Sequence, residues 1–228
     1  MEHLHNGLTL ELSDGAFPLS TDSVLLSAFV KLHKNTRVLD LGSGCGTLGL
    51  LLCAREESIC VTGIELDAAA HEAALINIRD NALEDRLKSI CADLTKANEY
   101  ITAGSFHCCV SNPPYFTGGP AARLTEARRE DTCTMQQLFR AAAWCLQYGG
   151  DFYLVHRPER LATLFCCAGS AGLEPKRICL VRHDPDAPVN LVLVQCRKGA
   201  KPGLVWEDLV LFDRAGEPTP AYREIYHL

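Results

Sequence analysis

No uninterrupted apolar stretch in this 228-residue chain is long enough to span a bilayer, which removes a transmembrane reading. The opening residues, Met1-Glu2-His3-Leu4-His5, lack a basic region followed by an apolar core, so no secretory leader is expected. Positive charge is not in excess either. The formal net charge is −6, which argues against bulk nucleic-acid binding and leaves a local basic patch as the route to any nucleic acid. Cys-x-x-Cys pairs are absent although the chain has twelve cysteines, four of them in the adjacent pairs Cys108-Cys109 and Cys166-Cys167. Most sit inside apolar runs, where a free thiol behaves as a small hydrophobe. Buried, reduced thiols in a reducing cytoplasmic compartment are therefore expected, rather than disulfides or zinc. The eight histidines are scattered without His-x-x-x-His spacing or a His/Cys cluster of ligand spacing, so no metal site is expected. Internal repeats and low-complexity tracts are missing too.

What remains is an ordinary globular composition, 47% hydrophobic and 22% charged, long enough for one sizeable core. Apolar runs alternate with helix-like segments, the signature of an α/β fold. Strands are expected at 37–41, 60–64, 87–91, 106–110, 151–156, 178–181 and 191–196, and helices at 47–54, 68–80, 134–147 and 159–171. The early strands are nearly continuous apolar runs, as in a parallel sheet covered on both faces. The expectation is one Rossmann-like domain with a mostly parallel seven-stranded sheet. Residues 1–34 would precede the core, 35–200 would form it, and 201–228 would be an extension folded back on the sheet. Residues 117–129 and 183–188 read as mobile loops.

Asn112-Pro113-Pro114-Tyr115 follows the apolar run Phe106-His107-Cys108-Cys109-Val110. Two prolines can neither continue a ladder nor start a helix in place, so the backbone there is preset. This corner carries an amide, a carbonyl and an aromatic face at a strand's carboxyl end. Two acceptors and a ring can hold a planar amino group, the requirement for chemistry on an exocyclic or amide nitrogen.

A second constellation lies earlier. Val38-Leu39-Asp40-Leu41 runs into Gly42-Ser43-Gly44-Cys45-Gly46 and then a helical stretch. Such glycines let backbone approach a ligand and adopt positive φ. The pattern is neither the dinucleotide fingerprint nor a Walker loop. Glu65 ends the next strand, about 20 residues on, where an acid can take both ribose hydroxyls. Asp93 ends the third, where a carboxylate can accept from an adenine amino group. Either acid alone would serve as well as a helix N-cap. All four features, however, fall at the ends of successive strands, the edge where open α/β sheets bind ligands.

This set resembles a class I S-adenosylmethionine-dependent methyltransferase of the amino-methylating type. Phe17-Pro18-Leu19-Ser20-Thr21-Asp22-Ser23-Val24-Leu25-Leu26, Ala127-Arg128-Arg129-Glu130, His156-Arg157-Pro158-Glu159-Arg160-Leu161 and Gly216-Glu217-Pro218-Thr219-Pro220 are similar to segments of the bacterial tRNA1(Val) adenine-37 N6-methyltransferase family. That family often carries Tyr-Thr where this chain has Pro218-Thr219. The resemblance implies S-adenosyl-L-methionine as cofactor, with S-adenosyl-L-homocysteine as product. The cofactor set would be Thr21, Asp22, Asp40, Gly42, Ser43, Gly44, Cys45, Gly46, Glu65, Leu66, Asp93, Leu94 and Asn112. The catalytic set would be Asn112, Pro113, Pro114 and Tyr115, and the substrate adenine 37 of tRNA1(Val). Phe116, Arg123, Arg128, Arg129, Arg157 and Arg160 are the candidates for RNA contact, with Lys176, Arg177, Arg197, Lys198 and Lys201 as a further surface.

Glutamine's amide presents the same N–H₂ fork as adenine, so a protein glutamine, an rRNA adenine or a DNA adenine remains an alternative target. Release-factor methyltransferases carry a longer helical segment before the core, whereas about three dozen residues precede it here. DNA adenine enzymes usually need a recognition domain for which this chain has little room. A silent RNA-binding module on the same fold would tend to lose the glycines or the asparagine, and this chain keeps them.

Overall fold

The computed structural model describes residues 2–3, 7–10, 20–113 and 133–227. Strands β1 (Arg37–Leu41), β2 (Cys60–Glu65), β3 (Leu87–Cys91), β4 (Phe106–Ser111), β5 (Leu146–His156), β6 (Leu173–Arg182), β7 (Val189–Lys198) and β8 (Val205–Val210) form one sheet. Its spatial order is β8-β6-β7-β5-β4-β1-β2-β3. Neighbours are parallel except where β7 runs antiparallel between β5 and β6. The carboxyl ends of β3, β2, β1, β4 and β5 therefore share one edge. Helices are α1 (Thr21–Phe29), α2 (Thr47–Arg55), α3 (Ala68–Asp80), α4 (Ala97–Tyr100), α5 (Met135–Cys145), α6 (Leu161–Ser170) and α7 (Pro220–Tyr226). None of the helices among the described residues is long and apolar enough to cross a membrane.

Strand alternation divides the core between the sheet's two faces. Val38, Val61, Leu87, Cys108, Val110 and Val155 pack with Leu25, Leu26, Leu50 and Ile78 of α1 to α3. Leu39, Ile64, Cys109, Phe152 and Leu154 pack on the other face with Leu138, Phe139, Ala142 and Leu164 of α5 and α6. Phe139 and Phe152 meet edge to face with centroids 5.2 Å apart, a contact worth about 0.5–1.5 kcal/mol beyond the area it buries. The first face is closed by α1, whose carboxyl end is capped from outside: the Arg55 guanidinium donates to the carbonyls of Ser27 and Val30. All twelve cysteines are free thiols, seven of them buried.

Several boundaries differ from the sequence expectation. The helix expected at 134–147 stops at Cys145, because Leu146 turns extended and opens β5 by pairing with Phe106. Its start matches: Thr134 and Gln137 form a reciprocal capping box. The helix expected at 159–171 begins with a 3₁₀ turn, Pro158–Arg160, before α6. The sheet has eight strands rather than seven, because part of the extension beyond residue 200 enters it as β8, parallel to β6. Helix α1 was not expected at all. The 183–188 loop, expected to be mobile, is pinned: Asp184 accepts from the backbone N–H groups of Asp186 and Ala187, and Arg214 pairs with Asp186.

Candidate active site at the carboxyl edge of the sheet

The glycine loop leaves β1 and is held down on β2, where Gly42 and Ser43 both donate their backbone N–H to the Ile64 carbonyl, at 2.9 and 3.0 Å. Gly42, Gly44 and Gly46 have φ of 76°, 55° and 84°, a region that side chains enter only at a cost. A Cβ on Gly42 or Gly44 would meet no atom of a described residue within 4 Å, so among the described residues the space over the loop is open to a ligand. From below, the buried Asn77 of α3 donates to the Cys45 carbonyl at 2.9 Å. Gly63 permits the close approach of β2: a Cβ there would lie 2.5 Å from Ser43 Oγ.

Glu65 ends β2 with both carboxylate oxygens engaged. Oε2 accepts from Gly44 N–H at 2.7 Å and Oε1 from Asp67 N–H at 2.8 Å. Each oxygen keeps a second lone pair, so the group can fix the loop and still accept from a diol. The next residue, Leu66, is half exposed at 51%. Asp93 plays the cap that sequence reasoning left open. Its Oδ1 takes both the backbone N–H and the hydroxyl of Thr95, at 2.9 and 2.7 Å, as N-cap of the 3₁₀ turn that Leu94 starts. The Thr95 hydroxyl bond is the main reason its carboxyl is held below the usual range. The Tyr100 hydroxyl donates to the Asp93 carbonyl at 2.8 Å.

Asp40 is of another kind. It sits under the loop, 2% exposed, and its Oδ2 has no hydrogen-bond partner among the described residues. Burial pushes its carboxyl up to about 8, with the nearby Glu65 charge adding to the rise.

Asn112 follows β4 at the centre of this edge. The preceding Ser111 anchors the strand end to β1 by donating its hydroxyl to the Leu41 carbonyl at 2.8 Å. The Asn112 Nδ2 donates to Ser23 Oγ at 2.8 Å, and its Oδ1 carries no hydrogen bond to any described residue. Thr21 and Asp22 stand two residues and one residue before Ser23, in the first turn of α1. Burial raises the Asp22 carboxyl, opposed by the positive charge of Arg157 at the end of β5. Burial raises the Tyr226 phenol of α7, and the neighbouring Thr21 side chain opposes that rise. The start of α1 thus closes over the corner.

The structure brings together Thr21, Asp22, Asp40, Gly42 to Gly46, Glu65, Leu66, Asp93, Leu94, Asn112 and Pro113 along one edge, with Arg157 and Arg160 at the neighbouring strand end. Pro114, Tyr115, Phe116, Arg123, Arg128 and Arg129 lie outside the described residues. The further basic surface does not join the site. Lys176, Arg177, Arg197, Lys198 and Lys201 lie toward the opposite edge, because β7 runs antiparallel and β6 starts there. Three of these side chains are occupied structurally: Arg177 by Glu207, Arg197 by Asp151, and Lys198 by the carbonyls of Ala143 and Leu146. Lys176 donates to the Lys201 carbonyl. Sequence reasoning missed Ser23, Gly63, Asn77 and Ser111 as supports of the site. The place of Gly63 two residues before Glu65, and of Ser111 just before Asn112, is the local signal that could have found two of them.

The methyltransferase small domain model matches residues 20–163. A Bacteroides fragilis protein named tRNA1(Val) (adenine(37)-N6)-methyltransferase is 31% identical over 182 residues, 78% of this chain and 76% of that protein. A Dickeya chrysanthemi protein of the same name is 33% identical over 190 residues, 82% and 75% of the two chains. Among solved structures, an Agrobacterium tumefaciens protein described as a predicted O-methyltransferase superposes with a TM-score of 0.77 at 24% identity, covering 91% of this chain and 96% of that one; it establishes the fold. The matched span runs from Ser20, which caps α1, across the glycine loop, Glu65, Asp93 and Asn112, and the chain belongs to the methyltransferase small domain family and, within it, to the family of the proteins named tRNA1(Val) (adenine(37)-N6)-methyltransferase.

Proposed function

We propose that this protein methylates N6 of an adenine in tRNA, adenine 37 of tRNA1(Val), with S-adenosyl-L-methionine as donor. The observation that carries the chemistry is the state of Asn112. Its Nδ2 is spent on Ser23 and its Oδ1 accepts from no described residue, at a strand end next to the glycine loop. The relatives' names supply the substrate.

The residues fit the cofactor. Among the described residues, open space lies over Gly42 and Gly44, Glu65 retains acceptor capacity for ribose hydroxyls, and Asp93 and Leu94 stand at the adenine end. Thr21 and Asp22 would face the methionine moiety. When bound, the cofactor supplies an already activated methyl, so the protein contributes positioning and electrostatics. Adenine's exocyclic nitrogen is a poor nucleophile because its lone pair is delocalised into the ring. The Asn112 Oδ1 and the Pro113 carbonyl accept its two N–H groups and draw the nitrogen toward tetrahedral geometry, which localises the pair. Pro114 keeps the corner rigid. Tyr115 stacks on the base, a contact worth ~1–3 kcal/mol, and Phe116 extends that wall. The base is presented from a single-stranded loop. Arg157 and Arg160, with Arg123, Arg128 and Arg129, hold the phosphates around it.

The test is incubation with labelled cofactor and total tRNA lacking the modification, followed by nucleoside mass spectrometry. N6-methyladenosine in one valine isoacceptor is the expected product. Label in a glutamine-bearing protein but none in tRNA would overturn the reading.

A further inference from the structure

We propose that Ser23 is a positioning residue for methyl transfer, acting by fixing which way the Asn112 amide faces. The proposal rests on the acceptor role given to Asn112 and adds the group that enforces it. Ser23 is 6% exposed and lies 89 positions from Asn112 in sequence, so the bond between them is made by the fold alone. The amide of asparagine is pseudo-symmetric in shape. Its two orientations differ only in whether oxygen or nitrogen faces a given side. For an incoming amino group that difference is decisive, because Oδ1 accepts its N–H while Nδ2 would set donor against donor.

The Ser23 hydroxyl is itself held. Ser20, the N-cap of α1, has its Oγ 3.2 Å from Ser23 Oγ, and it accepts from Ser23 N–H at 3.3 Å. Either hydroxyl of that pair can be the donor; when Ser23 donates to Ser20, its oxygen presents only lone pairs to Asn112. It therefore selects Nδ2, at 2.8 Å, and turns Oδ1 away from α1. The helix cap and the catalytic amide become one chain of hydrogen bonds, Ser20 to Ser23 to Asn112. Removing the Ser23 hydroxyl leaves Nδ2 without its acceptor. The amide then gains by rotating, since an unpaired half-buried N–H is costly, and the rotated form offers the wrong atom to substrate.

The experiment compares Ser23→Ala, Ser23→Thr, Asn112→Ala and the Ser23→Ala/Asn112→Ala double variant in single-turnover methylation of unmodified tRNA. Cofactor affinity is measured in parallel by titration calorimetry and folding by thermal melts. Ser23→Ala is expected to slow methyl transfer about tenfold while cofactor affinity stays within about twofold. Ser23→Thr, which keeps the hydroxyl, should recover most of the rate, and the double variant should be no slower than Asn112→Ala. Ser23→Ala at the parental rate beside a crippled Asn112→Ala would overturn the role of Ser23 and leave that of Asn112 standing. A full Ser23 loss that persists in the Asn112→Ala background, or a parallel loss of cofactor affinity, would overturn it too, by showing a general effect on α1. Parental turnover by Asn112→Ala would overturn the underlying reading first.

Discussion

Glu65 Oε2 accepts the backbone N–H of Gly44 at 2.7 Å, so the acid at the end of one strand also sets the shape of the loop that leaves its neighbour. A glutamine there keeps one oxygen and turns a donor toward either Gly44 or Asp67. Leaving one such N–H without an acceptor costs ~1–3 kcal/mol. Glu65→Gln is therefore expected to weaken cofactor affinity by about tenfold to a hundredfold. Calorimetric titration with S-adenosyl-L-homocysteine checks this, and unchanged affinity would detach Glu65 from the site.

Gly63 and Ser43 form the tightest seam beneath that loop. A Cβ on Gly63 would fall 2.5 Å from Ser43 Oγ and 2.7 Å from Ser43 Cβ. The side chain cannot yield at its Cβ without moving the loop. Gly63→Ala should destabilise the fold by ~1–3 kcal/mol, the usual cost of overpacking. Ser43→Gly in the same chain should return most of it, since both clashing atoms are removed. Urea unfolding of the two variants decides; equal midpoints for single and double variants would place the strain elsewhere.

Asp40 links stability to pH. Its carboxyl is raised to about 8, first by burial and then by the Glu65 charge. In the folded state it holds a proton that the unfolded chain releases near its ordinary value of about 4. The stabilisation is thus fully present below about pH 4 and is lost as pH rises toward 8. The slope from this group approaches ~1.4 kcal/mol per pH unit within the window. Asp40→Asn, neutral throughout, should flatten that dependence. Urea midpoints from pH 5 to pH 8.5 measure it, and identical slopes in parent and variant would exclude Asp40 as the source.

How far the chain's fold can be read in advance follows from how local its signals are. Strands β1 and β3 match expectation end to end; β1 is a mostly apolar run that stops at Gly42. Helix α3 does too, between its Asp67 cap and Asn81. Strand β8 escaped because Glu207 and Asp208 interrupt its apolar run, and their charges are met by Arg177 and Arg182 only in the folded chain. Helix α1 escaped because its nine residues read as part of a lead-in segment. The glycine loop, Glu65, Asp93 and Asn112 were legible because each sits at a strand end. Ser23 was not: a serine on a short helix has no local mark of a partner 89 residues away.

Arg160 should carry part of the tRNA affinity. It ends the exposed 3₁₀ turn after β5, beside the edge that holds Asn112. A chain of net charge −6 must bind a polyanion through such local groups rather than through its overall field. Each phosphate neutralised releases counterions and adds about 0.7 to the slope of log affinity against log salt for a single-stranded segment. Arg160→Ala should therefore weaken tRNA binding and reduce that slope by roughly this amount. Lys198→Ala is the control. Its Nζ donates to the Ala143 and Leu146 carbonyls at 2.6 and 2.7 Å, where a cation completes the end of α5. That substitution should lower the unfolding midpoint and leave the salt slope unchanged. Fluorescence binding at several KCl concentrations separates the two, and an unaltered slope in Arg160→Ala would remove the turn after β5 from the tRNA surface.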